Sequence, residues 1–449
     1  MTAVIANPTR SMPRPHLIVF CGLLLALNAF SCDILLPAFT IIGADFTVPV
    51  ERVQMVIPVF LLAAGLGQLI FGSLSDGFGR RPVILTGLVI YLTGTLTCLL
   101  APSMGVLLAG RFVQGFASAC GVVVARAVLR DTHSGSELGR AIALAMAIFS
   151  FGPIVAPLLG VGLITAFGNW RGAFLGMVVF AGGLLSVGLL RLQETNANRD
   201  PAALEPRRLL SACKTVLSHP QSRYFVCIAG GLNFAIVSTV SNASRMYATS
   251  FGVDGAAFAL LFASTALGII AGQILNARVI RRHGIMRATR MAAFAMLAMA
   301  SIIAWAAHSG WLTAISFTAL LFVFNASFLI VMANSLAQVI GPHETIAGLA
   351  SSLYGFVSQI TGSTLTLLTL PVITGDLGRW SIGQLCIAVT IFAAVLLYRP
   401  RTQPNEVCKK TRPKGSTRVG IWAKLVTAIR RRAQAVSRHG LRKQHGDDP

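Results

Sequence analysis

Charge is what this chain is short of. Only 12% of its 449 residues are charged, where a soluble domain carries about a quarter. Acidic residues are the scarcer kind, 15 Asp and Glu against 37 Lys and Arg. That basic excess does not describe a nucleic-acid binder, because the Lys and Arg fall in a few short stretches and form no basic soluble domain that could hold a duplex. Aromatics other than Phe are also few: 26 Phe stand against 5 Tyr and 5 Trp, a balance that suits lipid-facing helices better than a base-stacking surface. The cysteines (Cys21, Cys32, Cys98, Cys120, Cys213, Cys227, Cys386 and Cys408) stand singly. With no CxxC pair, neither a disulfide framework nor a metal cage is expected. The histidines are scattered, none at ligand spacing with acids, and no GxxxxGKS or GxxxxGKT stretch offers an ATP engine. No catalytic arrangement emerges, and neither a cofactor nor a metal is expected.

Apolar length, by contrast, is abundant. The apolar set makes up 55% of the chain and the mean hydropathy is +0.73. Twelve runs are long enough to cross a bilayer, which takes about 20 mostly apolar residues. They lie near Leu17–Ile41, Gln54–Leu74, Val83–Leu100, Val106–Leu129, Arg140–Ala166 and Arg171–Leu190, then 224–249, 255–276, 288–307, 311–336, 346–373 and 380–398. The first run is too long for the h-region of a signal peptide and contains Asp33 and Pro37, so it reads as a retained span. The polar stretch 191–223, with Pro201, Pro206 and Pro220, divides the spans into two sets of six. The expected organisation is a segment 1–16, a six-helix bundle 17–190, a central loop 191–223, a second bundle 224–398 and a basic tail 399–449.

Lys and Arg gather in alternate connections: the N-terminus, 75–82, 130–140, 191–223, 277–290 and the tail. The opposite set has isolated cations such as Arg52, Arg171 and Arg379. That asymmetry places both termini in the cytoplasm. An internal echo joins the halves, since Gly272-Gln-Ile-Leu-Asn276 repeats the pattern of Gly72-Ser-Leu-Ser-Asp76, and Arg281-Arg282-His283-Gly284 matches the arginine pair Arg80-Arg81. In the tail, Ile421, Trp422, Leu425, Val426 and Ile429 share a helical face before Arg430–Arg432, which fits an interfacial helix on an anionic leaflet or a disordered segment equally.

Few residues inside the spans carry chemistry. Asp33 is expected about 24 Å into a 30 Å hydrocarbon core, at a depth shared with Arg111 of the fourth span. Ionisable groups at such depth are costly and usually face a pathway; an interfacial acid ending its helix before Pro37 is the plainer alternative. Arg111 and Gln114 are i,i+3 neighbours, with Ser118 and Arg126 close to the same stripe; Arg126 either joins that face or snorkels to the headgroups. The fifth span holds Gly152, Pro153, Pro157 and Gly160, which bend it or permit close packing. In the second half, Asn233, Ser238, Asn242, Asn325, Asn334, Tyr354, Ser358 and Gln359 interrupt apolar runs and are candidates to line a cavity. Gly72, Asp76, Gly79, Arg80 and Arg81 form a charged, glycine-rich turn between the second and third spans.

Together these motifs resemble the major facilitator superfamily and, within it, the proton-coupled drug exporters of the bicyclomycin/chloramphenicol resistance group. The match rests on Ser31-Cys-Asp33-Ile-Leu-Leu-Pro37, on Gly72-Ser-Leu-Ser-Asp76-Gly-Phe-Gly79-Arg80-Arg81-Pro82, on Arg111-Phe-Val-Gln114-Gly115 with Arg126-Ala-Val-Leu-Arg130-Asp131, and on Gly152-Pro153-Ile-Val-Ala-Pro157-Leu-Leu-Gly160. Trp170-Arg171 and Phe174 also fit. The resemblance implies an all-α fold of twelve transmembrane helices in two pseudo-symmetric halves. It implies a cytoplasmic gate at Asp76 and Arg80, proton coupling supported by Arg111, and export associated with Pro153 and Gly160. Ile34-Leu35 departs from the group's usual Met-Tyr and removes an aromatic from the expected cavity.

The function expected is export of amphipathic, neutral or weakly cationic small molecules in exchange for protons by alternating access, from a monomer in a bacterial inner membrane. Membrane lipids, lipophilic substrate and protons are the expected partners, with no nucleic acid. A proton-coupled importer of a sugar or organic acid is the nearest alternative, and the helix 5 motif argues against it. A non-transporting scaffold would leave Asp33 and Arg111 without a role.

Overall fold

The computed structural model describes residues 12–197 and 199–398. The expectations for residues 1–11 and for the tail, including the helix at 419–436, lie outside the described residues. Among the described residues, twelve helices are long and apolar enough to span a membrane. They are α1 (Arg14–Asp45), α2 (Val50–Phe78), α3 (Arg80–Leu99), α4 (Met104–Thr132), α5 (Gly135–Phe167), α6 (Arg171–Arg191), α7 (Pro220–Phe251), α8 (Gly255–His283), α9 (Ile285–Ser309), α10 (Ala314–Ile340), α11 (Glu344–Ile373) and α12 (Leu377–Leu397).

Several boundaries differ from the hydropathy reading because helices outrun their apolar stretch. The second to fourth spans extend into polar turns, with α2 reaching Phe78 and α4 reaching Thr132. The first span is not one regular helix. Its α-helical part ends at Asp33, a 3-10 turn covers Leu36–Ala38, and a short helix Phe39–Asp45 follows. Pro37 lacks the N–H that a continuing helix would need.

Packing repeats with a shift of six helices. In the first half α1 meets α4 and α5, α4 meets α2 and α3, and α3 meets α6; in the second, α7 meets α10 and α11, α10 meets α8 and α9, and α9 meets α12. The halves join through α2 against α11 and α5 against α8, which correspond under the same shift. Glycines set the closest approaches. A Cβ on Gly115 of α4 would lie 2.1 Å from the Phe60 carbonyl oxygen of α2, and one on Gly268 of α8 would lie 2.2 Å from that of Phe322 in α10.

The stretch 191–223 is more than the loop expected from its polarity. It contains a 3-10 turn, Pro201–Leu204, and an amphipathic linker helix, Pro206–Ser218. The turn packs on α2 and the linker helix on α7 and α11, so the connection touches both halves.

Candidate functional site

No loop separates α2 from α3. Gly79 alone joins them, at φ 105° and ψ 161°, a backbone conformation essentially closed to side-chain-bearing residues. The sharp junction holds Arg80 over the last turn of α2. Its Nη1 donates to Asp76 Oδ1 at 2.5 Å and to Ser75 Oγ at 2.8 Å, and its Nε donates to Asp131 Oδ2 of α4 at 2.9 Å. Arg80 is buried while both acids keep access to solvent. The i,i+4 spacing of Asp76 and Arg80 made their pairing legible; Asp131, the last residue of the Arg126–Asp131 motif, is the third member.

A third acid was missed altogether. Glu194, just past α6, accepts from the backbone N–H of Arg80 at 2.8 Å and of Arg81 at 3.2 Å. It caps α3 where the helix dipole favours a negative charge. Asp200 N–H and the Asn196 side-chain amide both donate to the Asp76 carbonyl. Leu204 fills the notch over Gly77, where a Cβ would fall 2.7 Å from its Cγ. Arg81 reaches the Leu189 carbonyl instead of an acid. Across the junction Gly72 faces Ser352 of α11, at 3.5 Å from a hypothetical Cβ to Oγ.

Arg111 is fully buried in α4. It donates to Gln114 Oε1 at 2.5 Å and to the Val56 carbonyl at 3.3 Å, and its guanidinium lies 4.1 Å from the centre of the Phe60 ring. Gln114 passes the chain on to Thr95 Oγ1 at 2.8 Å. The expected approach of Arg111 to Asp33 is absent: no ion pair within 4.0 Å links them among the described residues. Arg111 faces the neighbouring Cys32 thiol instead; Cys32 and Asp33 are both in the regular part of α1, where successive side chains point about 100° apart. Asp33 is 5% exposed and forms no hydrogen bond or ion pair among the described residues. Ser31, two residues earlier, bonds Tyr91 at 2.5 Å.

The α5 motif serves this break. α5 is one continuous helix through Pro153 and Pro157. A Cβ on Gly160 would lie 2.2 Å from the Ile34 carbonyl oxygen, so only glycine lets α5 reach the interrupted backbone of α1. Gly152 faces Ala26 more loosely, at 3.8 Å. Ser118 of α4 accepts from Asn28 of α1 at 2.9 Å, and Arg126 lies half-buried two turns further on.

Many second-half candidates turn to neighbouring helices, not to a common cavity. Tyr354 donates to the Met332 carbonyl, Ser358 to that of Ala229, and Asn276 and Asn334 exchange bonds at 2.9 and 3.2 Å. Asn242 donates to the Ser238 carbonyl of its own helix, while Gln384 of α12 donates to Ser238 Oγ. Asn233 packs on Gly362 and Gln359 on Gly65. The amide oxygens of Asn233, Asn242, Asn325 and Gln359 are buried without a partner.

The two ends of the bundle are closed differently. At the end remote from Arg80, one apolar core joins Leu36, Phe39 and Trp170 of the first half to Tyr247, Phe317 and Trp380 of the second. Gln54 of α2 also accepts from Thr374, just past the end of α11, at 2.6 Å. At the Arg80 end, the apolar core stays within the first half.

Comparison with known proteins follows the same lines. Residues 21–366 match the family model described as Major Facilitator Superfamily. The chain is 29% identical over 372 residues to an uncharacterised MFS-type transporter, YdgK, of Bacillus subtilis, covering 81% of this chain and 90% of that protein. It is 30% identical over 401 residues to a bicyclomycin resistance protein homolog of Haemophilus influenzae, covering 85% and 95%. Among solved structures, a D-xylose-proton symporter superposes with a TM-score of 0.69 at 14% identity, over 86% of this chain and 98% of that one.

Proposed function

Because the chain belongs to the Major Facilitator Superfamily, a family of transporters and not of enzymes, we propose that it exports amphipathic small molecules, drugs or toxic compounds, in exchange for protons. The coarser statement, secondary transport of small molecules by a twelve-span membrane protein, follows from the family and the fold. The observation that carries the finer reading is Asp33: a buried carboxyl with no partner among the described residues, at the break of α1, next to Ile34, whose carbonyl packs on Gly160 of α5. A carboxyl so placed is expensive to keep charged and has no structural pair to justify it, which suits a group loaded and unloaded with a proton in each cycle. The bicyclomycin-resistance name of one relative supports the substrate class.

In this reading Arg111 and Gln114 hold α4 rigid beside the coupling acid. Asp76, Arg80, Arg81, Gly72 and Gly79 form the cytoplasmic gate, and Gly152, Pro153, Pro157 and Gly160 let α5 follow α1. Arg126 and the unpartnered amide oxygens of Asn233, Asn242 and Gln359 offer polar contacts on a mostly apolar wall; Tyr354, bonded to α10, positions α11 against it. The protein works as a monomer in a bacterial inner membrane with both termini cytoplasmic, as its Lys and Arg asymmetry favours. The deciding test is flux in proteoliposomes with an imposed pH gradient across a panel of amphipathic compounds, sugars and dicarboxylates. Uphill movement of several unrelated amphipathic compounds against the proton flow is expected. Strict selectivity for one sugar or dicarboxylate would reject the exporter reading.

A further inference from the structure

Arg126 is a cation within a span to which neither the fold nor the gate described above gives a use. It lies on α4 six residues from the end of that helix at Thr132, about 9 Å inside the Arg80 end. Helical phase gives its direction. Ser118 of α4 faces Asn28 of α1, and Gly121 faces the Leu24 carbonyl of α1. Ala119 packs against Gly67 of α2. At about 100° per residue, position 126 falls about 20° from Ala119 and about 80° from Ser118, on the α2 side of the gap between α1 and α2; Arg130, one turn on, reaches Gly348 of α11 in the second half. The side chain is half-buried, yet it makes no hydrogen bond, ion pair or ring contact among the described residues.

The nearby acids are already engaged. Asp76 and Asp131 both hold Arg80, and Glu194 caps α3. The next charge on the same helix is Arg130, four residues on, which adds repulsion at i,i+4 and not relief. Asp33 lies nineteen residues along α1 from Arg14, about 28 Å from the Arg80 end, so it sits roughly 20 Å deeper than Arg126. A half-desolvated guanidinium without a carboxylate is costly unless an anion completes it, and guanidinium is the side chain best shaped for a planar or tetrahedral oxyanion.

We infer that Arg126 is a recognition site for an anionic group on the transported molecule, so that the exported class consists of amphipathic carboxylates, sulfonates or phosphonates. This rests on the exporter reading above and replaces the neutral or weakly cationic preference expected from composition. The apolar wall accepts the rest of the molecule, and Arg126 selects its head.

The test uses a matched pair of fluorescent probes: anilinonaphthalene sulfonate and N-phenylnaphthylamine, the same rings without the sulfonate. Binding is measured on purified protein in nanodiscs, and flux in proteoliposomes under a pH gradient. Arg126→Gln should weaken sulfonate binding about tenfold or more and leave the neutral probe nearly unchanged, with Arg126→Lys between. Val122→Asp, which sets a carboxylate one turn before Arg126, should cause the same selective loss without removing the arginine. Sulfonate binding unchanged in Arg126→Gln and Val122→Asp, or equal losses for both probes, would overturn the anion site. If the neutral probe is still pumped in that case, the exporter reading survives the failure. Selective, Arg126-dependent binding without pH-driven flux of either probe in the unaltered protein would instead uphold the anion site and sink the exporter reading.

Discussion

Gly79 and Gly284 are the same hinge in two different settings. Each is the residue before a new helix, α3 or α9, with φ 105° and ψ 161° at the first and φ 79° and ψ 162° at the second. Around Gly79 the space is full: a Cβ there would fall 2.4 Å from Glu194 Oε2. Around Gly284 a Cβ would meet nothing within 4 Å. α8 also runs on to His283, well beyond its Gly272, whereas α2 ends at Phe78, soon after Gly72. The duplicated backbone has kept its bend, and only the first copy has kept a network of acids to clamp it. The interiors diverge likewise. Buried Asp33, Arg80 and Arg111 belong to the first half, while the second half buries Asn233, Asn242, Asn325, Asn334 and Gln384. Symmetry of fold thus coexists with a division of labour in which charge chemistry sits on one side and neutral hydrogen bonding on the other.

The sharpest way to break this contrast is to remove one group from each interior. Asp33→Asn should leave a folded carrier whose pH-driven accumulation falls to background in proteoliposomes. Asn233→Ala in the second half should change apparent affinity severalfold and leave uphill transport in place. Uphill transport at the normal rate in Asp33→Asn would move the coupling acid elsewhere.

Next in size is the paired hinge substitution. Gly284→Ala should cost about 1–3 kcal/mol for backbone strain alone. Gly79→Ala should cost more, because Glu194 must also vacate its position at the end of α3. Thermal unfolding of the two variants in the same detergent ranks them. Equal losses would mean that the Glu194 contact adds nothing.

Glu194→Ala sharpens the comparison from the other side by making the first hinge resemble the second. Loss of the cap should cost about 0.5–2 kcal/mol. It should also raise amide hydrogen exchange at Arg80 and Arg81 and the accessibility of a cysteine placed at Ser352, whereas the amides of Ile285 and Met286 should not change. Unaltered exchange at Arg80 and Arg81 would show that the linker does not restrain the gate.

The smallest effect concerns pH and lies in the second half. His343, between α10 and α11, is buried with its Nε2 3.0 Å from Ser222 Oγ and its ring 5.4 Å from that of His219. Burial, and then the charge of His219, push its imidazole below the ordinary histidine range. The unfolded chain therefore takes up this proton first. Stability should fall as pH drops below about 6.5 and level off once the folded protein is protonated as well. His343→Gln should flatten that slope in thermal melts across this range, while Asp76→Asn, at the first-half gate, should leave this part of the profile unchanged.

Much of this molecule was readable before any coordinates. Twelve spans, their grouping into sixes, the Asp76–Arg80 pair and the Arg111–Gln114 pair all follow from local rules. Hydrophobic length fixes a span, and i,i+3 or i,i+4 spacing fixes which side chains share a face. Local rules failed wherever a partner is remote in the chain. Arg111 was expected at the depth of Asp33, but depth says nothing about azimuth, and the two side chains form no ion pair among the described residues. Tyr354 and Ser358 were expected on a cavity wall and bond adjacent helices instead, since a polar residue in an apolar run has the same signature in either place.

The amino-acid sequence by itself determined the membrane class, the duplicated hinge and the identity of the charges, because apolar length, glycine at a bend and residue type are properties of short segments. Tertiary structure alone decided which charges are satisfied. Glu194 reaches the N–H of Arg80 across 114 residues and Asp131 reaches its guanidinium across 51, while Asp33 and Arg126 find no partner among the described residues. Those outcomes depend on how helices far apart in the chain are rotated and packed against one another, and no local period encodes that rotation.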